Sequence, residues 1–135
     1  MAIVTWTPLM STGIESVDAE HQKLIGLINN FYDNLGKTTG KENLKILLEG
    51  LSCYAIFHFA NEELLMHQYG YPSLELHKKE HVKFTQTIVS YKERLNSGKL
   101  IFSVETTNFL KNWLTDHILT ADKQYSEYII KKGAN

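Results

Sequence analysis

The sequence predicts an all-α fold, an antiparallel up-down-up-down four-helix bundle with an extended N-terminal arm. Three observations predict it. Four segments carry apolar residues at alternating three- and four-residue spacing, the period of a helix with one buried face. Short breaks separate them, which makes consecutive helices antiparallel neighbours. No run alternates apolar and polar residues as a strand would, and both prolines fall outside the long periodic segments. At 135 residues the chain reads as one domain, 1–135, long enough to bury a core.

The arm covers residues 1–15. Its Ile3-Val4-Thr5 run is too short for a strand and reads as extended chain laid over the bundle. The first helix is expected at about 16–36, with Val17, His21, Leu24, Ile25, Ile28, Phe31, Tyr32 and Leu35 near one face. Ser16 or Asp18 is placed to cap its start and Gly36 to end it. Thr39 and Glu42 have capping-box spacing and open the second helix, about 40–69. Its stripe runs Leu44, Leu47, Leu48, Leu51, Ala55, His58, Glu62, Leu65 and stops at Gly70. Pro72 suits the first turn of a third helix, about 72–96, whose face is Leu74, His77, His81, Phe84, Ile88, Tyr91 and Leu95. Asn96-Ser97-Gly98 ends it. After a loop from Lys99 to Phe102, Ser103 is the expected cap of a fourth helix, about 103–131. Leu110, Trp113, Leu114, His117, Ala121, Tyr125 and Tyr128 lie near one face of it.

Composition removes several classes of function. The net charge is −1 with Lys and Arg scattered along the chain, which argues against nucleic acid or an anionic membrane as partner. The single cysteine, Cys53, excludes an internal disulfide and a thiolate-pair metal site. The first residues, Met1 to Pro8, lack the basic start and apolar run of a signal peptide. No stretch approaches the ~20 apolar residues of a membrane span. A cytoplasmic protein without membrane insertion is expected.

Chemistry concentrates in the histidines. Five of the six, His21, His58, His77, His81 and His117, fall on apolar stripes spread over all four helices. A buried imidazole needs a hydrogen-bond partner or a metal. For any one of them a satisfied core histidine is the commoner case. Five turned to the interior together would be costly without a metal, because protonation would add mutually repelling charges. His67 lies off the stripe and reads as a surface residue. Pairs spaced i, i+4 share a helix face, and His58/Glu62 and His77/His81 flank the Gly70-Tyr71-Pro72 break that folds one helix back on the other.

Two carboxylates complete the set. Glu62 sits on the stripe one turn after His58, where an unpaired glutamate would be disfavoured. Glu63 points away and reads as solvated. Asp122 follows His117 by five residues, which on a regular helix separates them by about 140°. One wider, π-helical turn between them would bring the aspartate round. Five imidazoles and two carboxylates exceed one tetrahedral zinc. They suit two five- or six-coordinate ions bridged by carboxylates, and mixed nitrogen and oxygen donors suit iron. Glutamate-rich di-iron bundles repeat Glu-x-x-His, a spacing this chain lacks. The remaining polar and apolar residues have plain readings. Cys53 is a small filler or partly exposed thiol, and Lys78, Lys79 and Lys83 are helix surface. Met66, Tyr125 and Tyr128 are core, with a hydrogen bond from Tyr125 to the site left open.

The sequence resembles a hemerythrin, specifically the single-domain bacterial kind. The resemblance rests on Gly13-Ile14-x-x-x-Asp18-x-x-His21, His58-Phe59-x-x-Glu62-Glu63-x-x-Met66 and Tyr71-Pro72-x-x-x-x-His77-x-x-x-His81. It continues through Trp113-Leu114-x-x-His117-Ile118-x-x-x-Asp122-x-x-Tyr125, with Trp6 in the arm, and spans nearly the whole chain. It implies two iron ions (Fe2+/Fe3+) bridged by Glu62, Asp122 and an oxo or hydroxo group. His77, His81 and His117 would saturate one iron, and His21 and His58 would leave the other an open position for dioxygen. Phe59, Trp113, Leu114 and Ile118 would line the oxygen pocket. The implied function is reversible oxygen binding for carriage, storage or delivery to an oxygen-consuming recipient enzyme, by a monomer that is not itself an enzyme. The alternatives are an oxygen or redox sensor, or a di-iron oxidase or nitric-oxide reductase using the same site.

Overall fold

Residues 4–34, 40–98 and 104–133 are described by a computed structural model, with side chains of the last segment from residue 108 onward. The periodic segments are helices: α1 (Glu15–Asp33), α2 (Gly40–Gln68), α3 (Leu74–Asn96) and α4 (Val104–His117). A π-helical turn, Ile118–Asp122, joins α4 without a break to α5 (Lys123–Lys131), and together these three make the fourth helix of a four-helix bundle. No strand occurs among the described residues. Gly36, the Thr39 and Ser103 caps, Leu35 and the Lys99–Phe102 loop lie outside the described residues.

The start of α1 differs from expectation. Ile14 occupies the N-cap, and neither Ser16 nor Asp18 caps the helix. Asp18 instead turns outward to the arm. Its Oδ1 accepts from the Thr12 backbone N–H and hydroxyl, both at 2.7 Å, and its Oδ2 accepts from the Ser11 hydroxyl at 2.7 Å. A carboxylate in the first turn is also favoured by the helix dipole. Farther out, the Asn29 amide grips Val4 at two points, accepting from its N–H at 3.0 Å and donating to its carbonyl at 2.9 Å. Between these clamps the arm makes a short 3₁₀ turn, Pro8–Met10, and buries Met10.

The α2–α3 connection is tight because Gly70 adopts φ 66°, a left-handed conformation that closes the helix end. The Tyr71 N–H then returns to the Met66 carbonyl at 2.9 Å. Pro72 sits in the turn, and α3 begins two residues later at Leu74.

Two apolar clusters divide the interior. The larger is built on Leu24, Ile28, Leu44, Leu48, Leu51, Phe59, Phe84, Ile88, Leu110 and Leu114. The smaller gathers Ile14, Val17, Met66, Tyr125 and Ile129. On each helix the inward histidines and carboxylates fall between residues of one cluster and residues of the other. The bundle therefore holds a polar layer between two dry ones.

Candidate metal centre

All seven residues of that layer are buried: His21, His58, Glu62, His77, His81, His117 and Asp122 are each at most 4% exposed. α1 contributes His21, α2 His58 and Glu62, α3 His77 and His81, and the fourth helix His117 and Asp122. The π-helical turn expected between the last two is present. It turns the Asp122 carboxylate inward, with Oδ1 3.1 Å from His117 Nε2.

The two carboxylates lie between two histidine groups. Asp122 divides its oxygens: Oδ2 is 2.9 Å from His21 Nε2, while Oδ1 is 3.0 Å from His77 Nε2. Glu62 Oε1 is 3.2 Å from His58 Nε2 and 3.3 Å from His81 Nε2. His81 and His117 bring their Nε2 atoms within 3.2 Å of each other. Two donor sets result, each able to enclose one ion. Glu62, His77, His81, His117 and Asp122 form one, and His21, His58, Glu62 and Asp122 form the other, with donor atoms in each set within 4.8 Å of one another.

Several of these atoms are close to each other yet make no hydrogen bond. Both ring nitrogens of His21, Nε2 of His77, Oε1 of Glu62 and both oxygens of Asp122 are buried without a hydrogen-bond partner. Unpaired polar atoms are rare in a folded interior because each loses its hydration. Five of them, His21 Nε2, His77 Nε2, Glu62 Oε1 and both oxygens of Asp122, surround one small volume, and nitrogen and carboxylate oxygen together fit a bound cation.

The far sides of three rings are fixed by carboxylates. His58 Nδ1 donates to Glu20 at 2.8 Å, His81 Nδ1 to Glu63 at 2.8 Å, and His117 Nδ1 to Glu80 at 3.3 Å. A carboxylate only accepts, so each ring keeps a proton on Nδ1 and turns Nε2 toward the centre, where an ion would replace any proton it carries. Glu20 is itself held by the Asn61 amide at 3.0 Å. Glu63 is thus not the solvated residue its sequence position suggests. Glu20 and Glu80 were not legible as site residues at all. A hint existed in the Glu20-His21 and Glu80-His81 doublets. In both, the glutamate serves a histidine on another helix rather than its neighbour. The Tyr125 hydroxyl donates to Glu62 Oε2 at 2.7 Å, bracing that carboxylate from the smaller apolar cluster.

Electrostatics without an ion follow from this packing. Burial pushes the His58 imidazole down, but Glu62, Glu20 and Asp122 outweigh it and hold the group at about 10. His117 is likewise lowered by burial and raised further by Asp122, Glu80 and Glu62, to about 10. Burial works against the charged forms of Glu62 and Asp122, yet the surrounding imidazoles keep both below the usual carboxylate range. Burial and the nearby carboxylates push the Tyr125 phenol well above its ordinary value, so it remains a donor.

Aromatic and aliphatic groups close the centre on the side of the larger cluster. Phe59 stacks on His81 with centroids 3.8 Å apart, and Trp113 stacks on His117 at 4.5 Å. Phe59, Leu114 and Ile118 are buried, and Trp113 is half-buried. Cys53 is exposed, and no helix among the described residues is long and apolar enough to cross a membrane.

Comparison with known proteins agrees with this geometry. Residues 12–129 match the family model of the hemerythrin HHE cation binding domain. The bacteriohemerythrin of Pseudomonas aeruginosa is 33% identical over 131 residues, covering 96% of this chain and 83% of the relative. That of Methylococcus capsulatus is 29% identical, covering 93% and 95%. The myohemerythrin of Theromyzon tessulatum is 30% identical, covering 89% and 88%. A solved structure described as wild-type hemerythrin superposes with a TM-score of 0.84 at 28% identity, covering 93% of this chain and 97% of that one. With a four-helix bundle, a buried layer of five histidines and two carboxylates, and a family match over most of its length, the chain belongs to the hemerythrin HHE cation-binding family.

Proposed function

We propose that this protein binds dioxygen reversibly at a centre of two iron ions and serves oxygen carriage, storage or delivery. The observation that carries the reading is the inequality of the two donor sets, five groups against four, with Glu62 and Asp122 common to both. The smaller set, with His21 and His58, leaves one ion a coordination position for an outside ligand. Nitrogen and oxygen donors without sulfur suit iron. Two ferrous ions would supply the electrons that dioxygen draws on when it binds and returns when it leaves.

The chain's own residues have separable tasks in this reading. His77, His81 and His117 would hold one ion and His21 and His58 the other, with Glu62 and Asp122 serving both. Glu20, Glu63 and Glu80 keep the Nδ1 protons of His58, His81 and His117 and so aim the opposite nitrogens. Tyr125 fixes the rotamer of Glu62. Phe59, Trp113, Leu114 and Ile118 line the oxygen pocket and exclude water, which would otherwise compete with the ligand. Relatives named bacteriohemerythrin and myohemerythrin favour a carrier over an enzyme. A cytoplasmic carrier handing oxygen to a consuming enzyme is the simplest physiological setting.

The test is anaerobic reduction followed by oxygen addition, with iron content and the visible spectrum followed together. Two irons per chain and a charge-transfer band that forms with oxygen and fades under vacuum are expected. Direct conversion to the oxidised form, with no reversible band, would replace the carrier by a redox sensor or oxidase. Fewer than two irons would overturn the two-ion centre.

A further inference from the structure

We propose that dioxygen enters through an apolar depression between α2 and α3, with Phe59 as its door, an inference that rests on the protein being an oxygen binder. The centre needs an entrance, because all seven of its inward residues are buried. Dioxygen carries no charge and no dipole, so apolar surface admits it on better terms than water.

The depression has a volume of about 320 Å³ and opens to solvent. Ile56, Ala60 and Val82 stand at its rim and are exposed, Ile56 by 55% and Val82 by 51%. Ala60 on α2 and Thr85 on α3 are small side chains along the contact of two packed helices, and they leave the seam unfilled. The floor is made by Phe59 and His81, which are only 5% and 2% exposed. Glu63 also borders the depression, but His81 Nδ1 holds its carboxylate at 2.8 Å, so it is fixed at the margin rather than free to fill the opening.

That floor is a wall of the metal centre itself. One face of the Phe59 ring lies flat on His81, with 3.8 Å between centroids. The same ring is 5.9 Å from His58 and 6.1 Å from Trp113. His58 belongs to the donor set that leaves a coordination position, and Trp113 to the lining of the oxygen pocket. A single side chain therefore separates the outer space from the inner one. The outer space has room to receive it. An apolar cavity of about 150 Å³ accommodates a benzene molecule, and the depression is larger than that. Swinging Phe59 outward gives up its stack on His81 and joins the two spaces, a gating motion of one residue.

The larger groove along α3 and the fourth helix is a poorer entrance. It has a volume of about 670 Å³ and is bordered by Glu80, Lys83, Gln86 and Ser90, which keep it wet. It reaches inward to Trp113, and none of the seven inward residues lines it.

Ala60→Trp and Val82→Trp plug the depression from exposed positions outside the metal centre and the oxygen pocket. The experiment is stopped-flow mixing of the reduced, iron-loaded full chain with oxygen. Each plug should slow association about tenfold, a barrier about 1.4 kcal/mol higher. Dissociation should slow by the same factor and leave the affinity unchanged, because a route sets the barrier and not the end states. Gln124→Trp, on the exposed surface of the fourth helix, should keep both rates of the parent. Phe59→Leu should speed association by removing the ring that closes the passage. Plugged variants that bind at the parent's rate would overturn the route. So would a changed affinity without matched changes in both rates, since the tryptophan would then be acting on the centre. An unaltered association rate in Phe59→Leu would remove Phe59 as the door. Failure of the carrier function is separable from these outcomes, because it appears in the parent as the lack of a reversible oxygen band. Nitric oxide, another small apolar gas, then reads the route through its association with the reduced centre. The same slowing by both plugs is expected, and its absence would overturn the entrance.

Discussion

α2 and the fourth helix solve the same problem differently. Each brings a histidine and a carboxylate to the centre. On α2, His58 and Glu62 are four residues apart on a regular helix, and the long glutamate reaches within 3.2 Å of its histidine. On the fourth helix, His117 and Asp122 are five apart, and the shorter aspartate arrives at 3.1 Å only because a π-helical turn swings its backbone round. The two carboxylates are also braced differently. Glu62 has the Tyr125 hydroxyl on Oε2, whereas neither oxygen of Asp122 has a hydrogen-bond partner. One carboxylate is positioned by the protein, and the other leans on whatever occupies the centre. A chain can thus build two bridging ligands while braced at only one of them.

Removing the unbraced carboxylate should have the largest effect. Asp122→Ala leaves three imidazoles without their counter-charge, and loss of one partner of a buried pair costs about 3–5 kcal/mol. The denaturant midpoint of the metal-free protein should fall accordingly, and the loaded protein should retain fewer than two ions. A midpoint within error of the parent would mean that the Asp122 contacts contribute nothing to the fold.

Raising the pH acts on both helices at once in the metal-free protein. His58 and His117 are held at about 10, above the ordinary 6.5 of an unfolded imidazole. Their contribution to stability is complete below pH 6.5 and is lost as pH rises through about 10. Glu62 and Asp122 are held low, so their contribution is present above the usual carboxylate range and is lost on acidification. Metal-free stability should therefore peak in mildly acidic solution and decline toward pH 10. Ion binding displaces the same protons and should strengthen over that rise. Thermal melts with and without metal across this range would check both slopes, and a metal-free melt that climbs toward pH 10 would contradict the pairing.

Deleting Leu119, a residue of the π turn that is 41% exposed, converts the fourth helix to the spacing found on α2. The bundle should stay folded and lose full two-ion occupancy, because aspartate at a four-residue spacing falls short. Adding Asp122→Glu to the deletion should recover it. Ion counting by mass spectrometry distinguishes the two, and failure of the double variant would show that the turn does more than set reach.

Tyr125→Phe tests the brace on Glu62. A buried hydrogen bond to a charged group is worth about 1.5–3 kcal/mol, and chemical denaturation of the metal-free protein should register a loss of that size. Smallest is the pair Glu20→Gln and Glu80→Gln. Glu20 is nearly buried and bonds His58 at 2.8 Å, whereas Glu80 is half-exposed and bonds His117 at 3.3 Å. Loss of such an outer partner weakens ion binding about 10–100-fold at a well-ordered site. Glu20→Gln should reach that range and Glu80→Gln should fall below it, as chelator competition would show.

The fold and the seven inward polar residues were legible because both follow from periodicity. His21, His77 and His81 lie on stripes that any helical reading recovers, and the five-residue gap before Asp122 itself demanded a wider turn. What was not legible depends on contacts between helices. Glu20 precedes His21 in sequence but orients His58 on α2, and Glu80 precedes His81 but orients His117. Glu63 lies one place past the stripe and still reaches His81 on α3. Local pattern shows which face a residue occupies and not which neighbour stands across from that face. The cap of α1 was misread for a related reason. Asp18 has the chemistry of a cap but spends it on the arm, a segment with no periodicity of its own.

The arm's last clamp bears on how the protein is made. Lys123 Nζ donates to the Ser11 carbonyl at 3.0 Å, joining positions 112 residues apart. The same C-terminal region carries His117 and Asp122. During synthesis the first three helices emerge while this stretch is still inside the ribosome. The nascent chain then holds two histidines of each donor set and the shared Glu62, but not the shared aspartate. Stable two-ion loading consequently waits until the fourth helix has joined the other three. Translation arrested before residue 117 should yield a chain that takes up ions only loosely.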